Sequence, residues 1–371
     1  MILAIALASP VADHFDYLPG HFDSSTLIPG IRVKVDFAGR KLIGVIVELK
    51  ASTDIDPQRL KPILAVIDDH PVIPEPLMKL LSRAAHYYHH PLGEVIFTAL
   101  PTRLRNGQSI DSTDKMLWQA TASTPADDLP ELKRASAQRA CLKQLQQSSR
   151  AMDLGELKSH TSHPGTALKN LLEKGLVQQV SQPVLPPGAT VTTRSTPPTL
   201  NPEQDSAVQS IQAHLGTFAV SLLDGVTGSG KTEVYLALIQ SVIDTGQQAL
   251  VLVPEISLTP QLNHRFCARF GNAVVSLHSG LTDRERQSAW RLAREGIARI
   301  VLGTRSAVFI PTLALGLIIV DEEHDPSLKQ QEGFRYHARD LAILRGQIEQ
   351  CPVLLGSATP ALETLVHAQS G

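Results

Sequence analysis

Gly225–Thr232 reads GVTGSGKT and Leu315–His324 reads LGLIIVDEEH, and the reading of this pair decides the fold. The first has the spacing G-x-x-x-x-G-K-[ST], in which glycines remove the Cβ atoms that would keep backbone N–H groups away from phosphate oxygens. The apolar stretch 218–223 leads in and a helix-periodic stretch, 233–245, leads out, so the loop falls at a helix N-terminus, where an anion is favoured. Gly225, Val226, Thr227, Gly228, Ser229, Gly230, Lys231 and Thr232 are therefore candidate ATP-binding residues, with Lys231 reaching the β and γ phosphates and Thr232 ligating Mg²⁺. The second stretch is short, β-branched and ends in carboxylates, which predicts a buried strand pointing at a ligand. Asp321 is placed to hold Mg²⁺ through water and Glu322 to orient or deprotonate the attacking water, giving a catalytic set of Lys231, Asp321 and Glu322.

The chain has 371 residues, enough for two to three domains. With 43% hydrophobic and 19% charged residues its composition is that of an ordinary globular protein, and 25 prolines suggest several linkers. A net charge of -2 argues against a uniformly basic nucleic-acid binder, so any DNA contact must be local. Cys141, Cys267 and Cys351 are scattered, which supports neither a disulfide framework nor a zinc site and points to a reducing cytoplasm. The start, MILAIALASPVA, has no Lys or Arg before its apolar run and predicts a strand rather than a signal peptide. No segment approaches 18 apolar residues, so no membrane span is expected.

In chain order, Ile31–Leu49 alternates apolar and polar residues on both sides of Ala38-Gly39-Arg40, the pattern of a hairpin. With residues 1–8 and 63–67 it predicts a small β-rich domain over 1–106. Pro74–Tyr88 predicts a helix with Leu77, Leu80, Leu81, Ala84 and Ala85 on one face, and its His86, His89 and His90 read as capping or surface residues rather than metal ligands. Residues 107–130 are Ser, Thr, Asp and Pro rich and read as a linker. Residues 131–182 read as a winged-helix domain, with a local excess of eight basic over four acidic residues between Glu131 and Gly175. Its helix at 164–174 is either a duplex-binding element or part of a spacer. A Pro-rich linker, 183–200, then leads into a parallel-sheet domain over 201–371. There Gln204, in LNPEQ, either reaches the adenine or simply opens a helix.

Three further stretches follow strands: VPEISLTPQ (253–261), LHSGL (277–281) and GTRSAVF (303–309). Thr304, Arg305 and neighbouring N–H groups suit phosphate contacts along a DNA strand, or ordinary turn chemistry. Gly356, Ser357 and Thr359 in GSATPALET are candidates to sense hydrolysis. In the loop PSLKQQEGFRYHARD (326–340), Gln330, Phe334, Tyr336 and Arg339 are candidates to couple it to strand grip, with the rings either stacking on bases or packing inward.

These motifs, in this order, resemble superfamily 2 helicases, and the wider match resembles the PriA family of primosomal replication-restart helicases. GVTGSGKTEVYL, LVPEISLTPQL, LHSGLTDRER, GTRSAVF, VDEEHDPSLKQQEGFRYHARDLA and LGSATPALETL carry it, with FDYL near the start and YYHHPLGEV at 87–95. The resemblance implies a multidomain α/β protein: a β-rich domain that captures a DNA 3′ end, a winged helix and RecA-like lobes that drive 3′ to 5′ unwinding at abandoned forks with ATP and Mg²⁺. By motif, Phe15, Asp16, Tyr17 and Lys61 match the family's 3′-end pocket, where Asp16 would accept a hydrogen bond from a free 3′ hydroxyl. Forked and single-stranded DNA, single-stranded DNA-binding protein and other primosome proteins are the partners it implies, for a monomer. The sequence ends soon after GSATP, before the family's zinc-binding cysteines, second lobe and C-terminal domain, so it reads as an N-terminal part with zinc expected only beyond it. Two other readings are a fork-binding scaffold with a vestigial ATP site and a restriction-type translocase on double-stranded DNA.

Overall fold

The computed structural model describes residues 1–11, 13–113, 115–148, 150–159, 164–182 and 198–370. Residues 1–110 and 185–371 make one compact unit and residues 111–184 another. The first unit opens with a five-stranded antiparallel sheet of Ile2–Leu7 (β1), Phe15–Tyr17 (β2), Arg32–Phe37 (β3), Arg40–Lys50 (β4) and Ala65–Val66 (β5), ordered β2-β1-β4-β3-β5. All of β1 is buried because both faces of the sheet are covered, which is why it reads as a continuous apolar run. The expected hairpin is present, with Phe37 opposite Arg40 and both turn residues at positive φ, 49° at Ala38 and 79° at Gly39. That pair of values defines the turn whose twist matches the flanking strands.

Glu75–Tyr87 (α1), Leu92–Thr98 (α2) and Thr102–Arg105 (α3) follow. The five residues expected on the buried face of α1 are all buried, in a cluster that also includes Trp290, Phe309 and Phe334 of the later lobe. These helices therefore share one core with the parallel-sheet domain.

The second unit pairs Lys115–Ala120 (β6) with Val177–Gln182 (β7) and packs Ser136–Gln147 (α4), Leu154–Lys158 (α5) and Pro164–Glu173 (α6) around Trp118, Leu142, Leu157 and Leu168. The helices and β7 fall within residues 131–182, the stretch read as a winged helix. Strand β6, however, falls inside the stretch read as a linker; its Leu117 and Trp118 give it a core to join despite polar flanks. The linker expected at 183–200 lies almost wholly outside the described residues.

The remainder is a six-stranded parallel sheet, ordered β10-β11-β9-β12-β13-β8. Its elements are Pro202–Gln212 (α7), Val220–Asp224 (β8), Lys231–Asp244 (α8), Gln248–Leu252 (β9), Pro260–Phe270 (α9), Val274–Leu277 (β10), Asp283–Arg294 (α10), Ile300–Gly303 (β11), Leu315–Asp321 (β12), Ala338–Glu349 (α11), Val353–Ser357 (β13) and Leu362–Ser370 (α12). Residues of α7, α8 and α9 join one apolar cluster with alternate strand residues, and residues of α10 and α11 join the other. Strands buried on both faces explain apolar runs without alternation. The multidomain α/β class expected from the sequence is the observed one. No described helix is long and apolar enough to cross a membrane.

Candidate active site

Sheet order brings together what the sequence separates. β8, β13 and β12 are neighbours, with Asp321 opposite Gly356 and Ser357 opposite Asp224. The GVTGSGKT loop, GSAT and DEEH thus leave three adjacent strand ends on the carboxyl edge of the sheet, where open α/β sheets build their sites. Backbone bonds lock the junction: Gly225 N–H donates to Ser357 O at 3.1 Å, and Glu323 N–H to Gly356 O at 3.1 Å.

Lys231 Nζ lies 2.7 Å from Gly225 O and 3.8 Å from Glu322 Oε1. Gly230, at φ 86°, is the N-cap of α8, and Thr232 lies in that helix's first turn. A Cβ on Gly230 would strike the Gln204 amide, which donates to Ser229 O at 2.9 Å. Gln204 also forms a reciprocal cap with Asn201 at the start of α7, so one side chain both opens a helix and braces the loop. Val226 is open to solvent, and the N–H groups of Thr227, Gly228 and Gly230 meet no acceptor among the described residues. Unpaired donors on an exposed helix-entry loop fit an anionic phosphate.

Asp321 accepts a 2.8 Å bond from the Tyr235 hydroxyl. Burial pushes its carboxyl above the ordinary carboxylate range and the Glu322 charge adds to this, while the Tyr235 bond and Lys231 oppose it. A desolvated carboxylate beside a second one fits a divalent cation, which would supply the missing countercharge. Burial and the Asp321 charge push the Tyr235 phenol far up, so it remains a donor. Glu322 sits at φ 45°, a left-handed conformation that costs a non-glycine residue energy and recurs at functional sites.

Of the remaining members of DEEH, Glu323 faces inward and His324 stays exposed. Glu323 is fully buried and accepts from Arg339 Nη1 at 2.9 Å, Thr364 Oγ1 at 2.9 Å and Ala361 N–H at 2.7 Å. His324 Nδ1 lies 2.7 Å from Ser357 Oγ and its Nε2 lies 3.2 Å from Thr359 Oγ1. The GSAT hydroxyls therefore grip the DEEH histidine.

Phe334 and Tyr336 do not offer faces to bases. They are 5% and 2% exposed, and Phe334 packs on Tyr88, His90, Phe309 and Tyr336. Burial alternates along this loop, with Phe334 and Tyr336 turned inward and Arg335 between them exposed. Arg305 is likewise turned to the loop: its Nε donates to Gln330 Oε1 at 2.7 Å and its Nη1 to Ser327 O at 3.0 Å. Thr304 precedes it as the cap of a short 3₁₀ turn.

In the N-terminal sheet, Phe15 packs edge-on against Phe37, Tyr17 donates to Asp36 O at 3.1 Å, and Lys61 holds Asp36 at 2.8 Å. Asp16 lies between Phe15 and Tyr17 in the strand and faces the other way, toward Lys50 at 3.0 Å and Thr53. Phe15, Tyr17 and Lys61 are thus brought together, and Asp16 is not.

Sequence reasoning missed Tyr235, His324 and the helical layer α1–α3 against the parallel-sheet domain. The signal for Tyr235 was a hydroxyl one turn beyond Lys231 in a helix otherwise buried by aliphatic residues.

Residues 4–101 match the family described as 3′ DNA-binding domain (3′BD) of PriA, and residues 201–367 match the DEAD/DEAH box helicase family. The first part of the chain thus resembles a 3′ DNA-binding domain and its last part a DEAD/DEAH box helicase domain, a kind of domain that generally uses nucleotide and Mg²⁺. Along its length it is related to replication restart proteins PriA: 40% identical to that of Haemophilus influenzae over 100% of this chain and 50% of the relative. It is 38% identical to that of Chlamydia pneumoniae (92% and 46%) and 34% identical to that of Bacillus subtilis (96% and 52%). The chain spans about half the length of these relatives.

Proposed function

We propose that this chain is the fork-binding and ATP-binding part of a 3′ to 5′ DNA helicase of replication restart. The observation that carries the reading is the 3.8 Å approach of Lys231 to Glu322 across neighbouring strand ends, in a chain that also has a 3′ DNA-binding domain. Gly225–Thr232 would hold the phosphates, Thr232 and Asp321 the cation, and Gln204 the base side of the loop. Magnesium, when bound, neutralises charge on the β and γ phosphates. Lys231 gives up its bond to Gly225 O to meet that charge. Glu322, already in a strained backbone conformation, orients the attacking water and accepts its proton.

The consequence of turnover is carried by contacts among the motifs. Loss of phosphate at Lys231 and Glu322 is felt at His324, and through its bonds to Ser357 and Thr359 at the β13 strand end. Arg339 ties buried Glu323 to α11, while Arg305 and Gln330 link the GTRSAVF stretch to the loop that follows DEEH. Phe334 and Tyr336 act as the packed root of that loop. In this proposal Thr304 contacts the strand while Arg305 holds the adjoining loop, and Phe15, Tyr17 and Lys61 form the region of the DNA 3′ end, with Asp16 on the opposite side of β2. Forked DNA is the substrate, single-stranded DNA-binding protein and primosome proteins are the partners, and the cytoplasm is the site of action of a monomer.

The test is ATP turnover with and without forked DNA. Wild type should be stimulated by a fork with a 3′ hydroxyl, and Glu322→Gln should bind nucleotide without turning it over. Turnover by Glu322→Gln at the wild-type rate overturns the reading. Equal binding of 3′-hydroxyl and 3′-phosphate forks points instead to a translocase indifferent to ends.

A further inference from the structure

We propose that Tyr235 is the positioning residue that fixes the Asp321 carboxylate for the magnesium–nucleotide, and that Gly356 is the opening through which it does so. The inference rests on the ATP site described above. Tyr235 follows Lys231 by four residues on α8, so both side chains leave the same face of the helix toward the same strand ends. Its neighbours on α8, Val234, Leu236, Leu238, Ile239 and Val242, are buried aliphatics, and a phenylalanine would serve that packing as well.

What a phenylalanine cannot supply is the hydroxyl, which is costly to bury without a partner. Here the partner is the carboxylate of Asp321, at 2.8 Å. The hydroxyl reaches it over Gly356, which stands opposite Asp321 in the sheet; a Cβ on Gly356 would collide with that hydroxyl. Three motifs distant in sequence therefore meet at one hydrogen bond. The glycine that opens GSAT has a spatial role distinct from the turn conformations of other glycines, since its φ is not positive. A carboxylate held in one plane by a charge-assisted bond meets a cation without first being ordered, which is the benefit of preorganised ligands.

The experiment titrates Mg²⁺ into the chain with a fluorescent ATP analogue at equilibrium, alongside thermal melting without ligand. Tyr235→Phe and Gly356→Ala should each raise the Mg²⁺ midpoint roughly tenfold, the scale expected for outer-shell partners of a metal ligand. Their analogue affinity in excess chelator should equal wild type. A purely structural tyrosine would lower the melting temperature and leave the midpoint unchanged; that result in Tyr235→Phe overturns the inference even if Gly356→Ala fails to fold. Lys231→Ala is the third arm. If it binds the analogue as wild type does, the ATP-site reading falls, whereas normal loss there with an unmoved Tyr235→Phe midpoint sinks only the role of Tyr235.

Discussion

The proposed ATP site and the proposed DNA-end region assemble their residues in opposite ways. The first draws Lys231, Asp321 and Ser357 from stretches far apart in the chain and delivers them to adjacent strand ends by parallel pairing in the order β8-β13-β12. The second draws Phe15, Asp16 and Tyr17 from consecutive positions of one strand, and the alternation of β2 sends the middle residue to the opposite side from its neighbours. Proximity in sequence dispersed a set of side chains, and distance in sequence gathered one. A site at parallel strand ends therefore survives translation from motif to space better than a site along a strand.

The strongest way to break this contrast is to ask whether the two regions fail separately. Lys231→Ala should reduce ATP turnover by about a thousandfold, some 4 kcal/mol of transition-state stabilisation. Affinity for a 3′-ended single strand in the absence of nucleotide should remain at wild type, measured by fluorescence anisotropy. Loss of both together would mean one continuous site.

Much of this was legible because particular residues leave little choice. Leu315–Val320 can be neither a surface helix nor an edge strand, and Lys231 after four glycine-spaced residues needs a strand before it and a helix after it. Ala38-Gly39 between alternating runs forces a hairpin. What escaped was set by partners the sequence does not name. Tyr235 looks like packing until β13 supplies a glycine opposite Asp321, and Trp118 looks like a stray ring in a polar stretch until β7 pairs with it. Phe334 looks available until Tyr88 and His90 arrive from the stretch just after α1.

That last correction carries the next largest effect. Phe334→Ala should destabilise the fold by about 3 kcal/mol, as for other truncated core aromatics, with a lowered melting temperature and a lowered urea midpoint. If the variant melts like wild type and instead loses affinity for single-stranded DNA, the ring belongs to the strand path and not to the core.

Arg339→Ala should cost about 2 kcal/mol, because buried Glu323 keeps its bonds to Ala361 N–H and Thr364 but loses its charged donor. The sign with pH follows from the carboxylate. Burial raises the Glu323 pKa, and the Ala361 N–H, Arg339 and Thr364 together outweigh it, so the folded value is depressed. Its stabilisation is then present above the ordinary glutamate value and lost as pH falls through the depressed one. Wild type and Glu323→Gln should differ most in denaturation midpoint at neutral pH and draw together as acid takes the pH through that depressed value.

The smallest expected effect on stability separates binding from folding at the DNA-end region. Lys61 is 56% exposed on its side chain and pairs with a partly exposed Asp36 at 2.8 Å. Such a pair is screened by solvent and adds little to stability, so Lys61→Ala should melt almost as wild type does. Yet Lys61 lies beside Phe15 and Tyr17, through the Leu18–Pro62 bridge and the Asp36 contact that Tyr17 shares. If it meets a phosphate there, the variant's dependence of log affinity on log salt should be shallower by about one unit for 3′-ended strands. Lys50→Ala gives the matching control on the opposite face, where Asp16 would lose its charged donor and keep Thr53. A changed salt slope in Lys50→Ala with none in Lys61→Ala would move the DNA end to the Asp16 side of β2, and the contrast between the two sites would then rest on Asp16 and not on the aromatic pair.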